Sequence, residues 1–411
     1  MSVKKIYNFS PLNSWMESYV NKGHFLGSSI LVGLENNIIH QHFCGFRDKA
    51  NTKPFDINTV IRIYSMTKPI TALALMILQD QKKLDINSPI SEFIPSFSNP
   101  TALIENASSI NQVRKVAPPT LSELLTHTSG LSYSFNDSLI GRAYGEAIKA
   151  REKSELSYDN LKGGKNKVTL KILCEELAKF PLSFPPGTKW EYSMGIDVIG
   201  RVIEIVSGRP LDKFLSENIF EPAEMDYTSF YLKENMENRL AECLIHPDHE
   251  QRYNHYVDQP SDYKIDKATL FLGGSGLLST ISDYFRFTKI IMNNGTYRKN
   301  RIISSEGIQK LTTNVLTSDI ASMGPKHFAC MPTLGMGHGL GGSVIIEPQK
   351  EFSSSIGDFS WGGMASTYFW INKVEKLTTI FFTQLIPSNA YPNRPELKNL
   401  VRNILDLHKK K

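Results

Sequence analysis

Cysteine is scarce in this chain. There are four in 411 residues, Cys44, Cys174, Cys243 and Cys330, and they lie far apart. They make no Cys-x-x-Cys pair and no metal-ligand spacing. Free, mostly buried thiols in a reducing compartment are therefore expected. Long apolar runs are also missing: none approaches the roughly 18 residues of a membrane span. Met1 to Pro11 carries two lysines but no apolar core of a signal peptide. A soluble, cytoplasmic chain is the expectation. A basic stripe is absent too. The net charge is +5, part of it from Lys409-Lys410-Lys411 at the end, which reads as a solvated tail. Nucleic-acid binding is not expected.

Three familiar site patterns fail their context. Gly337-His338-Gly339-Leu340-Gly341-Gly342 contains Gly-x-Gly-x-x-Gly, but an apolar Val344-Ile345-Ile346 strand follows where a helix would be needed. It reads as a flexible turn entering that strand, with no dinucleotide cofactor. His246-Pro247-Asp248-His249 holds no helical i,i+4 histidine pair and is broken by Pro247, so no metal is expected. No serine lies in Gly-x-Ser-x-Gly, which removes the α/β-hydrolase nucleophile elbow. No internal repeat is evident. What remains is ordinary globular composition, 41% hydrophobic and 21% charged, with ample length for a core.

The informative stretch is Tyr64-Ser65-Met66-Thr67-Lys68-Pro69. Thr59 to Ile63 reads as an extended approach, and Ile70 to Leu78 as an apolar, helix-favouring run. Ser65 thus stands where a buried helix begins. Helical spacing lays Lys68 beside it at i+3. A serine hydroxyl needs a base to take its proton, and a lysine kept neutral by burial can be one. The helix N-terminus adds N–H groups suited to an oxyanion. Ser-x-x-Lys also occurs at Ser2 and Ser261, at a chain end and in a polar stretch. Only Ser65 opens a buried helix.

Elsewhere, Ser10-Pro11 reads as an N-cap and first helical position, with the helix running to about Asn21. Ser28 to Val32 and Ile38 to Phe43 read as strands around Glu35-Asn36-Asn37. From Asp85 to about Lys264 helical segments dominate, including Leu121 to Leu125 and Asp197 to Val206. Glu146 to Lys167 is charged and reads as a loop or lid. Beyond Leu270, Gly273 to Gly276 is a turn and Ser282 to Asn293 a helix. Ser343 to Ile346, Ser366 to Ile371 and Leu377 to Thr383 are strands, and Pro395 to Leu407 a closing helix. Strands at both ends flanking a helical insertion imply one α/β layer built from both termini. The expected division is 1–84 with 265–411 as the sheet domain, and 85–264 as a mostly helical domain.

Two further stretches carry possible chemistry. Tyr192 lies in Pro186-Gly187-Thr188-Lys189-Trp190-Glu191-Tyr192-Ser193-Met194-Gly195, between a turn and a helix. A phenol near a lysine can relay protons, although spacing alone favours a packed core tyrosine. Trp361-Gly362-Gly363 precedes a strand. Its glycines would let a ligand approach the backbone, and the Met364 N–H could serve an oxyanion. A plain Gly-Gly turn is the simpler reading of that stretch alone.

Together these stretches resemble the serine β-lactamase-like superfamily, which includes the penicillin-binding proteins. Ile63 to Ile70 is similar to its nucleophile motif, Leu124-Leu125-Thr126-His127-Thr128-Ser129-Gly130-Leu131 to its helical-domain motif, and Pro185 to Ser193 to the segment with its tyrosine. Gly273 to Thr280 and Trp361-Gly362-Gly363 fall in the same order, so the resemblance spans roughly residues 25 to 385. It implies an antiparallel sheet with flanking helices plus a mostly helical domain, with the site in the groove between. It also implies Ser65 as the acylated nucleophile and Lys68 with Tyr192 as base and acid. The N–H groups of Ser65 and Met364 would form the oxyanion hole. Trp361, Gly362, Gly363, Tyr133, Trp190 and Met194 would shape substrate binding.

Two positions depart from the β-lactamases and peptidases. Met194 stands where they carry an asparagine that holds a substrate amide. Trp361 stands where they carry the lysine of Lys-Thr-Gly, which binds a carboxylate. Losing an amide and a cation weakens binding of a carboxylate-bearing β-lactam. An uncharged ester loses nothing. The Trp-Gly-Gly motif also resembles the family VIII carboxylesterases and related acyltransferases. An ester hydrolase acting on a small molecule is therefore expected. An acyltransferase, a β-lactamase or D-amino-acid peptidase, and a non-catalytic assembly module are the alternatives. The acyl chain, the alcohol and the oligomeric state stay open.

Overall fold

The structure is a computed structural model that describes residues 6–150, 168–234, 236–250, 263–264, 268–349 and 353–406. The Ser-x-x-Lys matches at Ser2 and Ser261, residues 151–167 of the expected lid and the Lys409 to Lys411 tail lie outside the described residues.

One seven-stranded antiparallel sheet organises the molecule. Its strands are β1 (Gly27–Leu34), β2 (Asn37–Gly45), β3 (Met336–His338), β4 (Ser343–Ile345), β5 (Phe359–Gly362), β6 (Tyr368–Asn372) and β7 (Leu377–Phe382). They lie in the order β3-β4-β5-β6-β7-β1-β2, so the two ends of the chain meet where β7 pairs with β1. The β1–β2 turn is two residues, Glu35 and Asn36, both at positive φ. Those dihedrals match the right-handed twist of a tight hairpin.

Both faces of the sheet are covered away from the part-exposed edge strand β2, and β6 and β7 are buried along their whole length. On one face Ile30, Val32, Tyr368, Trp370 and Phe381 pack against the terminal helices α1 (Ser10–Asn21) and α8 (Asn393–Ile404). On the other, Leu31, Phe369, Ile371, Ile380 and Phe382 join the main core. That core continues through α2 (Thr67–Asp80), α3 (Leu121–Leu125), α5 (Leu170–Leu177), α6 (Gly195–Ser207) and α7 (Ile281–Met292). Every residue of α2 from Thr67 to Leu78 is buried. A helix apolar on all sides belongs in such a place.

Several expectations are corrected. Ser65 stands where the buried helix begins, but in a turn of 3₁₀ helix, Tyr64–Met66, that runs directly into α2 at Thr67. The chain enters that turn through Tyr64 at φ 42°, a left-handed conformation unusual for a non-glycine residue. The first helix is capped at Phe9, with Ser10 already helical. Residues 146–150 end helix α4 (Leu139–Ala150) and do not form a loop. Trp361 and Gly362 are inside strand β5, paired with Phe369 and Tyr368, not in a turn ahead of a strand. Met336 to His338 pairs with Ser343 to Ile345, so only the middle of the glycine-rich stretch turns. The largely helical middle of the chain also carries a short hairpin, Thr101–Leu103 with Val113–Lys115.

Candidate active site

The site is assembled around the Tyr64–Met66 turn, against which strand β5 packs. Ser65 is half-buried there. Tyr192 Oη–H donates to Ser65 Oγ at 2.7 Å, and Lys68 Nζ lies 3.3 Å from the same oxygen. Lys68 is otherwise sealed in, at 1% exposure. Its Nζ donates to Gly274 O at 2.8 Å and to Tyr133 Oη at 3.0 Å. It also lies over the rings of Tyr192 and Tyr133, 4.6 Å and 5.2 Å from their centroids. Ser65 Oγ, Gly274 O and Tyr133 Oη together take up the hydrogen-bonding positions around the Lys68 nitrogen.

The turn that presents Gly274 O is tied to α2 by two buried threonines. Thr71 Oγ1 donates to Gly273 O at 2.7 Å, and Thr67 Oγ1 accepts from Leu277 N–H at 3.2 Å. The same helix therefore carries Lys68 and holds its acceptor.

Asp197, which sequence reasoning did not single out, closes this arrangement into a ring. It is buried on α6, accepting from Gly274 N–H at 2.8 Å and from Tyr133 Oη at 3.4 Å. Gly274 is required here, because a Cβ would lie 2.6 Å from Asp197 Oδ2. Burial pushes the Asp197 carboxyl above its ordinary range, while the nearby Lys68 charge and the Gly274 N–H oppose that shift. The sequence did hold a signal: an acid flanked by Ile196, Val198 and Ile199 on the buried face of an amphipathic helix.

The oxyanion donors expected from the sequence are the N–H groups of Ser65 and Met364. Among the described residues, neither the Ser65 nor the Met364 N–H makes a hydrogen bond within the chain. Gly363 is fastened by its own N–H to Thr367, at 3.0 Å to Oγ1 and 3.1 Å to the carbonyl.

The predicted substrate-shaping residues separate into two groups. Tyr133 is part of the proton-bearing ring, wedged between Lys68 and Asp197. Trp361 and Trp190 are buried walls behind Tyr192, with centroid distances of 5.9 Å and 6.4 Å. Met194 is the N-cap residue of α6, half-buried against the main core. Behind Tyr192 lie two histidines that sequence reasoning missed. The His127 ring is stacked on Trp361 and edge-on to His338, at 6.0 Å and 5.5 Å. His127 Nδ1 accepts from Ser193 N–H at 3.3 Å. Burial pushes His338 down to about 4, and burial with the nearby His338 and Lys68 holds His127 well below the ordinary histidine value. Both are thus neutral at pH 7. A groove of about 820 Å³ opens beside Tyr192, walled by Phe184, Trp190, Met323 and Phe328, with Arg114, Lys189 and Asp137 among its polar residues.

No group of His, Cys, Asp and Glu among the described residues is arranged to hold a metal ion. Cys174 and Cys243 are buried, Cys44 and Cys330 half-buried, and all four are free. No helix among the described residues is long and apolar enough to cross a membrane.

The chain has relatives among known proteins. Protein Rv1367c of Mycobacterium tuberculosis is 30% identical over 372 residues, covering 89% of this chain and 87% of that protein. The lovastatin esterase of Penicillium rubens is 26% identical, covering 81% and 82%. Among solved structures, EstCE1, described as a hydrolase with promiscuous acyltransferase activity, superposes with a TM-score of 0.71. It is 21% identical and covers 94% of this chain and 96% of its own. That likeness establishes the fold, a β-lactamase-like antiparallel sheet with helices. The model of the beta-lactamase family matches residues 12–401, nearly the whole described length, and the chain belongs to that family.

Proposed function

We propose that this protein is a serine hydrolase that cleaves carboxylic esters through an acyl-enzyme on Ser65. The observation that carries the reading is the convergence of three groups: Ser65 Oγ, Tyr192 Oη at 2.7 Å and Lys68 Nζ at 3.3 Å. The Lys68/Tyr192 pair takes the Ser65 proton as Oγ bonds to the ester carbonyl carbon. The carbonyl oxygen becomes an oxyanion received by the N–H groups of Ser65 and Met364. As the carbon–alkoxide bond breaks, the same pair returns the proton to the departing alcohol. Water then attacks the acyl-enzyme, and the acid leaves with Ser65 restored. Tyr133 holds Lys68 directly, and Asp197 holds it through Tyr133 and the Gly274 peptide.

The choice of an ester over a β-lactam rests on Trp361 and Met194, which offer neither a cation nor a side-chain amide. The name of the Penicillium relative, an esterase, supports the same choice. One observation favours acyl transfer as a second reading. The groove beside Tyr192 has room for an alcohol far larger than water. The EstCE1 description, which pairs hydrolase with acyltransferase, is in keeping with it.

The test is turnover of p-nitrophenyl butyrate by wild type and Ser65→Ala, with nitrocefin run alongside. The expected result is ester turnover by wild type, a loss of about 10³-fold or more in Ser65→Ala, and slower turnover of nitrocefin. Equal ester hydrolysis by both proteins refutes the Ser65 assignment. Faster nitrocefin turnover reverses the choice of substrate. Product analysis with added alcohols separates transfer from hydrolysis.

A further inference from the structure

Helix α8 presents three basic residues at successive turns of one face, Arg394, Lys398 and Arg402, and all three are buried. Two have acidic partners. Lys398 Nζ is 2.7 Å from Asp358, and Arg402 bonds to Asp358 and Glu375. Arg394 makes no ion pair with an acid among the described residues. Its hydrogen bonds go to main-chain carbonyls: Nη2 to Gly363 O at 2.9 Å and to Thr367 O at 3.1 Å, and Nη1 to Ala329 O at 3.4 Å. The guanidinium also lies over the Tyr368 ring, 5.5 Å from its centroid. A buried cation without a counter-charge is unfavourable, so its placement calls for a reason.

The Gly363 carbonyl supplies one. It belongs to the same peptide unit as the Met364 N–H. A peptide is a conjugated, planar group. A charge-assisted hydrogen bond on its oxygen both fixes its plane and draws electron density from its nitrogen. The N–H becomes a stronger donor and keeps its aim. Gly362 makes room for this contact, because a Cβ there would lie 2.6 Å from Arg394 Cζ. On the side where a Cβ would stand, this glycine admits a guanidinium.

Building on the proposed acyl-enzyme reading, we propose that Arg394 is a positioning residue for the reaction. It orients and polarises the Gly363–Met364 peptide whose N–H receives the oxyanion. It touches no reacting atom. Burial works against its charge, and Tyr368, Cys330 and Tyr192 lie near enough to favour it.

The test uses full-length Arg394→Met and Arg394→Lys, each checked for native circular dichroism. Both are assayed on a p-nitrophenyl ester and on its thionoester, whose sulfur is a poor hydrogen-bond acceptor. In Arg394→Met, kcat for the oxygen ester is expected to fall about 10- to 100-fold, short of or equal to the loss of a whole oxyanion donor. KM should move less than about threefold. The thionoester rate should fall less, so that the oxygen-to-sulfur rate ratio shrinks, because only the oxygen ester exploits that N–H. Arg394→Lys, which keeps a cation under the strand, should recover part of the loss. A folded Arg394→Met with kcat within twofold of wild type overturns the proposal, as does a fall in kcat with an unchanged oxygen-to-sulfur ratio. If Arg394→Met does not fold, the ratio in Arg394→Lys decides: an unchanged ratio overturns the proposal, and a reduced one supports it. Ser65→Ala in the same assay separates the two readings. Full activity there refutes the acyl-enzyme itself. Its inactivity beside an unaffected Arg394→Met refutes only the role of Arg394.

Discussion

Asp197 and the His127/His338 pair show how single buried side chains set the chemistry around Tyr192. Asp197 returns to Lys68 along two routes, through Tyr133 Oη and through the Gly274 peptide. The lysine amine therefore has little freedom to leave Ser65. The histidines act on stability. A histidine whose folded value lies below its unfolded value of about 6.5 leaves the folded state uncharged while the unfolded chain takes up a proton. Stability is therefore whole above pH 6.5 and declines as pH falls toward the folded value. For His338, at about 4, the loss by pH 4.5 is on the order of 3 kcal/mol. His127 shifts in the same direction and adds to it. Urea midpoints measured at pH 7 and pH 4.5 should show this fall, and His338→Gln should show a smaller one. Identical slopes for the variant and wild type would contradict the burial of a neutral His338.

At the scale of the element, α8 does two jobs along one face. Its first turn carries Arg394 under β5. Its later turns carry Lys398 and Arg402, which share the buried carboxylate of Asp358 at the end of the loop entering β5. Asn372 Nδ2 adds a bond to Asp358 at 2.8 Å, so three elements meet on one side chain. Burial alone would push this carboxyl up, but Lys398 and Arg402 hold it below its ordinary range. Its contribution is present above the unfolded value and is lost as pH falls through the lowered folded one. Asp358→Ala would strand the buried Lys398 and leave Arg402 with Glu375 alone. A loss of about 3–5 kcal/mol is expected, measured by urea unfolding at pH 7. A loss under about 1 kcal/mol would mean that the cluster is solvated and the clamp absent. Helix α2 works the opposite way. Apart from Lys68 its buried surface is apolar and covered on every side, and its buried threonines Thr67 and Thr71 bond to the Gly273–Leu277 turn.

For the whole molecule, the main question is whether the site lies between two independent bodies. We propose the division into 1–84 with 265–411 and 85–264, yet the apolar core does not stop at that boundary. Leu31 and Ile380 of the sheet, Leu73 of α2, Leu124 of α3 and Val198 of α6 belong to one continuous cluster. Parts that share a core lose it together. Urea unfolding followed by far-ultraviolet circular dichroism, tryptophan fluorescence and residual esterase activity should give one coincident transition. Two separated transitions would show that the helical part melts on its own. The shared core also holds the catalytic candidates in register: Ser65 and Lys68 come from one part of the chain, and Tyr133, Tyr192 and Asp197 from the other.

What the amino-acid order determined by itself was local. The i,i+3 placing of Lys68 against Ser65, the apolar helix behind them, the Glu35-Asn36 hairpin and the assembly of strands from both ends were legible, because helical and strand periodicity act over a few residues. The glycine-rich stretch and Trp361-Gly362-Gly363 were misread as turns, since glycine obscures the alternation that marks a strand. Tertiary structure alone decided the rest. Tyr192 reaches Ser65 across 127 positions and Tyr133 reaches Lys68 across 65. Asp197, Arg394 and the neutral histidines acquire their character from burial and from neighbours distant in the chain. Charge and hydrogen bonding depend on which groups share a desolvated volume, and only the packed chain defines that volume.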